Sequence, residues 1–401
     1  MQGKTLLISL LIAFFLGGLE LTIAGTMGNL IACSLHCKNI TYFLLFSYLL
    51  GSVLGSFSFG YLVDKLGRKR TLEIGLLIFV VSSVLLSFSF LPIMVLSLLF
   101  IQGFAIGGDS VAAGPMVIEN LTYRGKAFVV LSTTWFLGDF VAAFLGIILT
   151  SAFSYEAWRV SFAIAGVLVI PFAIIRFFIK ESEVWQKYGK RKVKIGKGVR
   201  LLSVLLLVSV IDTIISYAFP FVLLPDFISP YLGFSTIQGV DFVDEAIISA
   251  TLASIVGGFT VVVFLIDKLK RKTAMIIGHA YMLTAFVLMT LAVLFKSPLG
   301  VIIIFGVLSF LSPLGMFAVS LVAIEAFPAS IRGKVSGVIS GVSSVFSAVT
   351  PIIIFSLASK VNVVESTAFL AGLVGVAVAS LFSINTISGS ESIEEIENAW
   401  K

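Results

Sequence analysis

The chain has 401 residues, of which 59% are hydrophobic and a further 35 are glycine, while Asp, Glu, Lys and Arg together supply 12%. Soluble domains carry about 25% charged residues, so an ordinary water-soluble enzyme is excluded. Two cysteines and two histidines also exclude a disulfide framework and the histidine-rich metal sites of membrane oxidases, desaturases and haem proteins, and neither a metal nor another cofactor is expected.

Charge clusters, glycines and prolines mark off apolar runs. These run roughly 20 residues or more, enough for a helix to cross a ~30 Å hydrocarbon core. Twelve spans are predicted, near residues 5–33, 40–63, 70–90, 92–118, 127–152, 158–179, 200–224, 243–266, 272–294, 299–324, 334–358 and 363–387. The first follows Lys4, holds Glu20 and has no convincing cleavage site, so it reads as a retained helix and not a signal peptide. At its outer end Cys33, His36 and Cys37 share one face if the helix continues, a spacing that a metal could use but that reads more simply as a spare thiol pair. Span two carries Gly51, Gly55 and Gly60 at near four-residue spacing, which permits close helix contact. His279 in span nine reads as a buried polar contact, and the tail Glu391–Lys401 as an acidic amphipathic helix with Ile393, Ile396 and Trp400, lying at the cytoplasmic interface.

Twelve spans place both termini on one side. That side collects 23 of the 27 basic residues and leaves Lys38, Arg159, Lys296 and Lys360 for the other, so it is expected to be cytoplasmic. This loop bias also explains the net charge of +6 without a nucleic-acid partner. A basic linker at 180–199 divides a first six-span bundle (1–179) from a second (200–387), followed by a tail (388–401). The halves repeat: Asp64 to Arg70 after span two is echoed by Asp267 to Lys272 after span eight, 203 residues on, and Glu119 with Arg124-Gly125-Lys126 is echoed by Glu325 with Arg332-Gly333-Lys334. Duplicated halves with parallel topology are used by two-bundle secondary transporters, which place substrate between them.

At these residues the chain resembles the major facilitator superfamily over nearly its whole length. Gly60-Tyr61-Leu62-Val63-Asp64-Lys65-Leu66-Gly67-Arg68-Lys69-Arg70 resembles the signature loop G-x-x-x-D-[KR]-x-G-R-[KR]-[KR]. Glu325-Ala326-Phe327-Pro328 running to Arg332-Gly333 resembles the E-x-F-P-x-x-x-R-G box of sugar porters and metabolite:proton symporters. Trp158-Arg159 and Glu181-Ser182-Glu183-Val184-Trp185 resemble further features of that branch. Span four, Gly103-Phe104-Ala105-Ile106-Gly107-Gly108-Asp109, resembles the G-x-G-x-G-G-D of phosphate and organic-acid symporters, although Leu99 stands where those relatives carry arginine. Ile211-Asp212-Thr213 replaces the paired glutamines of sugar porters, and the drug-antiporter signature is missing from span five. The resemblance implies an all-α membrane protein of twelve helices in two pseudo-symmetric bundles, with helices one, four, seven and ten lining the cavity. It further implies that Asp64, Arg68 and Arg124, with Gly60, Gly67, Glu119, Asp267, Arg271, Glu325 and Arg332, form a cytoplasmic gate.

Four acids, Glu20, Asp109, Asp139 and Asp212, lie inside spans one, four, five and seven, and with every Lys and Arg assigned to loops or span ends none is expected to have a basic partner. An embedded charge costs about 2.5–3.5 kcal/mol, and protonation relieves that cost. These acids are therefore the expected proton-coupling and substrate residues, with Asp109 first because it follows a glycine pair. Thr22, Asn29, Trp135, Tyr217, Tyr281 and Ser312 are candidate cavity residues. The expected activity is proton-coupled symport of a small polar metabolite such as a sugar or organic acid by a plasma-membrane monomer; export of cationic or amphipathic compounds by proton antiport is the alternative. A non-transporting sensor on the same fold predicts no uptake, and a membrane enzyme lacks a nucleophile and base set.

Overall fold

The computed structural model describes residues 2–37, 40–193, 195–384 and 391–400. Lys38, Lys401 and the expected boundary at 387/388 lie outside these. Among the described residues all regular structure is helical. We number the long helices α1 (Gln2–Thr26), α2 (Thr41–Leu66), α3 (Arg68–Ser87), α4 (Pro92–Asn120), α5 (Arg124–Phe153) and α6 (Ala157–Phe177). There follow α7 (Val199–Ala218, continued by a π-helical stretch Phe219–Ile228 and by Ser229–Tyr231) and α8 (Thr236–Gly257, continued by a π-helical turn Gly258–Val262 and by Val263–Lys268). The last four are α9 (Arg271–Leu294), α10 (Pro298–Glu325), α11 (Arg332–Ala358) and α12 (Val363–Phe382).

Local chemistry sets these limits. Gly67, at φ +101°, joins α2 directly to α3 in a backbone conformation that other residues rarely adopt. Pro92 and Pro298 occupy first-turn positions, and the Asn362–Glu365 capping box starts α12. Pro220 and Pro225 lack the N–H that an α-helix needs, and there the seventh span passes into π-helix and runs on to Tyr231, beyond the expected end at 224. The run Arg124–Phe177 holds 54 residues, about 81 Å of helix and far more than one crossing. A 3-10 turn at Ser154–Glu156, with Ser154 at φ +50°, divides it into α5 and α6, which completes twelve spans.

By its contacts the chain forms two compact units. Unit one holds Met1–Lys194, which takes in most of the linker, together with Phe327–Val345 and the tail from Ser392; unit two holds Ile195–Ala326 and the chain from Phe346 through α12. The repeat read from sequence recurs in the packing: α2 on α4, α3 on α4 and α3 on α6 in unit one are matched by α8 on α10, α9 on α10 and α9 on α12 in unit two. Glycines bring these helices together backbone to backbone. Gly103 abuts Tyr48 and Gly107 abuts Ser52 in unit one, as Gly257 abuts Phe310 in unit two. Large apolar side chains such as Leu77, Phe144, Phe264 and Phe355 remain exposed, as hydrocarbon contact requires.

Within unit one α2 touches the first part of α11 through Gly60 and Gly337: a Cβ on Gly60 would lie 2.8 Å from the Gly337 Cα. Gly60→Val is therefore expected to lower stability by about 1–3 kcal/mol through overpacking. Thermal unfolding in detergent checks this, and an unchanged midpoint would mean that the two helices separate at no cost.

Candidate functional site

Glu20 on α1 is fully buried in unit one, in the half of the bundle away from the basic loops. Its carboxyl meets only neutral groups. Ser83 Oγ on α3 lies 2.6 Å from Glu20 Oε1, the Gln102 amide on α4 contacts Oε2, and Ser83 and Gln102 are themselves 3.1 Å apart. Ser83 Oγ also lies 2.9 Å from its own Phe79 carbonyl. A hydroxyl has one hydrogen and cannot donate to both acceptors; a proton on Glu20 would supply the second bond. Among the described residues Glu20 forms no salt bridge, and neither does Asp139, whose Oδ1 accepts from Thr22 Oγ1 at 2.8 Å across α1 and α5. Of the sequence candidates, Thr22 is thus joined to Asp139, and both side chains are half-buried.

Asp109 departs from expectation. It is clasped by both terminal nitrogens of Arg176, one at 3.0 Å, and the same guanidinium donates to the Leu72 carbonyl at 2.8 Å and to Ser9 Oγ at 3.2 Å. The expectation that no embedded acid has a basic partner is corrected here. The α4 helix has 29 residues, about 43 Å, so Asp109 sits eleven residues from its basic-loop end, within reach of a long arginine near the last turn of α6. An acid held in a two-pronged pair is poorly placed to exchange a proton, which removes Asp109 as first choice. Asp109→Asn is expected to cost about 3–5 kcal/mol of stability by stranding Arg176. Unfolding measurements in detergent check the loss.

Asp212 on α7 and His279 on α9 meet in unit two with Nε2 3.0 Å from Oδ1. Neither His279 nor Arg176 carried a signal as obvious as a motif, but Arg176 falls inside the span predicted at 158–179 and His279 inside that at 272–294, each the sort of polar intrusion that demands a partner. Gln102 and Ser83 gave less warning, since neutral polar residues are common in spans.

Each unit also builds a triangle at its basic-loop end. In unit one Arg68, fully buried, donates to Glu119 at 2.9 and 3.1 Å and to Asp64 at 3.4 Å. In unit two Arg271 donates to Glu325 at 2.8 and 3.1 Å and to Asp267 at 3.3 Å. Unit one adds more: Arg332 also engages Glu119, Asp64 accepts from the Gly333 and Lys334 amides at 2.9 Å each, and Ser182 Oγ donates to Glu119. Those amides start α11, so the Asp64 carboxylate meets a helix N-terminus. Glu181 caps α3 by accepting from the Arg68 amide at 3.1 Å, and a side chain at Gly67 would collide with it and with Trp185. Arg124 opens α5 half-buried.

The remaining candidates are dispersed. Asn29 is exposed on the short helix Gly28–Ser34, where the first span breaks at Met27. Trp135 packs edge-on to Phe14, Tyr217 leans on Phe221 at 5.7 Å, and the Tyr281 hydroxyl is taken by the Val307 carbonyl. Cys33, His36 and Cys37 do not share a helical face, because the helix ends at Ser34 and His36 turns at φ +51°. The tail forms the helix Ile393–Ala399, but its apolar side faces protein: Ile396 is buried and Trp400 lies 5.5 Å from the Phe327 ring, while Glu397 accepts from the Ala329 amide at 2.6 Å.

Twelve long apolar helices in repeated halves define a multi-pass helical membrane architecture. The sequence profile of the Major Facilitator Superfamily matches residues 9–351, and the chain belongs to that superfamily. It is 25% identical over 328 residues, covering 78% of this chain and 77% of the other, to NiaP of Bacillus subtilis (strain 168), assigned provisionally to niacin and nicotinamide transport. It is 30% identical over 200 residues to the arabinose-proton symporter of Escherichia coli (strain K12), a match spanning 48% of this chain and 40% of that one. The structure of the proton:xylose symporter XylE superimposes with a TM-score of 0.84 over 100% of this chain and 99% of that one at 15% identity, which establishes the shared fold.

Proposed function

We propose that this chain is a proton-coupled symporter that imports a small polar metabolite, a sugar or organic acid, across the plasma membrane, with both termini cytoplasmic and Glu20 as the proton carrier. The observation that carries the reading is the fully buried Glu20 carboxyl among neutral partners only. Without a cation to hold it charged, the group gains from protonation in a low-dielectric bundle. The relation to metabolite carriers, among them an arabinose-proton symporter, supports the same reading. Transport follows by alternating access between the halves 1–179 and 200–387, joined by the linker 180–199. The Asp64–Arg68–Glu119–Arg332 network serves as the cytoplasmic gate, its ion pairs forming and parting in each cycle.

The test is reconstitution of the full chain in proteoliposomes, with sugars, aromatic and aliphatic organic acids and pyridine carboxylates added in turn while internal pH is followed. Substrate-induced proton entry is the expected result. Proton exit would replace symport by antiport, and substrate movement without any proton flux would remove coupling altogether.

A further inference from the structure

The geometry points to Asp212 and His279 as a proton-binding pair in unit two, separate from the Glu20 site, which holds one proton between α7 and α9 and parts when that proton leaves. His279 is fully buried and Asp212 nearly so. The ring nitrogen Nδ1 lies 2.8 Å from the Met275 carbonyl, which can only accept, so Nδ1 carries a hydrogen. That leaves Nε2 facing Asp212 Oδ1 at 3.0 Å. A neutral imidazole with its hydrogen on Nδ1 and an ionised carboxylate would present lone pair to lone pair there. The contact therefore contains one further proton, either as imidazolium and carboxylate or as imidazole and carboxylic acid.

Release is a simple proton transfer. The Nε2–H or Oδ1–H bond breaks, its electron pair stays on nitrogen or oxygen, and water takes the proton; the two lone pairs then repel and the contact opens. No other ionisable group is placed to compensate among the described residues. On α7 the others are Arg200 and Tyr217, with Asp226 inside the π-helical stretch and Tyr231 beyond it; on α9 they are Arg271 and Lys272 at the basic-loop end and Tyr281, bound to the Val307 carbonyl. The packed helix α10 sets Gly315 beside the ring and carries only Glu325, already paired with Arg271; α12 carries only Glu365 in its first turn, and the end of α8, which also touches α9, carries Asp267, paired with Arg271, and Lys268 at the basic-loop end. Asp212 lies seven residues before the π-helical stretch Phe219–Ile228, so proton occupancy of the pair bears on how α7 is held against α9.

The two histidines make the test direct. Full-length protein labelled with 15N-histidine is placed in lipid nanodiscs and its imidazole nitrogens are followed from about pH 5 to about pH 8, with His36→Gln assigning the signals. The expected result is a His279 Nδ1 that is protonated throughout and an Nε2 signal that changes with pH, the change being lost in Asp212→Asn. Three results overturn the proposal: an unprotonated Nδ1, an Nε2 signal that is constant over the range, or an Asp212→Asn response equal to that of the unaltered protein. The first two need no variant, so a misfolded Asp212→Asn leaves the question decided. No transported substrate is required, and the outcome is independent of Glu20.

Discussion

Glu20→Gln is expected to abolish gradient-driven accumulation while sparing substrate exchange. An amide fills the space of the carboxyl and can still bond to Ser83 and Gln102, so the bundle keeps its packing, but the position can no longer take up or release a proton. A membrane potential of 100 mV is worth about 2.3 kcal/mol per charge, which corresponds to roughly 50-fold accumulation of an uncharged substrate carried with one proton. The variant should bring this ratio to about 1, whereas counterflow between equal pools on the two sides of the membrane, which needs no net proton movement, should continue. Radiolabelled uptake with and without an imposed potential measures both. Accumulation at the unaltered level would dismiss Glu20 as the carrier; loss of counterflow as well would assign it to substrate binding or folding instead.

Glu119→Gln is expected to be the most destabilising of the single polar substitutions. Glu119 is the common acceptor of Arg68, Arg332 and Ser182, and both arginines are fully buried. Breaking one buried pair costs about 3–5 kcal/mol because a charge is left uncompensated. Here two guanidinium groups lose the same carboxylate, so the loss should reach at least the top of that range. Ser182→Ala, which removes one hydrogen bond to a charged group and the cap that accepts from the Trp185 amide at 3.1 Å, should cost about 1.5–3 kcal/mol for the first and about 0.5–2 kcal/mol for the second. Unfolding of the two variants side by side decides the matter: if Glu119→Gln is no worse than Ser182→Ala, the arginines are solvated and the triangle contributes little.

The two variants test different kinds of carboxyl group, and the difference was only partly legible from the chain. Both Glu20 and Asp109 read as isolated acids in apolar spans, and the glycine pair before Asp109 favoured it, with nothing along the chain to show that a cation stands beside it alone. The distinction arises because Arg176 lies near the last turn of α6 and reaches Asp109 on another helix, while Glu20 faces a serine and a glutamine. Sequence spacing specifies which residues share a helix face; it does not specify which faces of different helices meet. His279 illustrates the same limit. Its place in an apolar span was plain, but its partner, 67 residues away in the chain, was not.

Composition, span length and the two charged motifs by themselves determined the membrane class, the count of twelve spans and the repeat, because hydrocarbon thickness and the cost of burying charge act on any stretch of chain regardless of its neighbours. The breaks at Ser154 and at Pro220 and Pro225 were local too, though their exact outcome was not. Only the tertiary structure decided how the duplicated motifs divide their partners. Glu325 and Arg332 stand seven residues apart in one box, yet Glu325 pairs with Arg271 in unit two and Arg332 joins Glu119 in unit one. A chain turn through Phe327 and Pro328 sends the two side chains to different clusters, and buried ion pairs form where desolvated groups come within about 3 Å of one another, a condition set by packing and not by order along the chain.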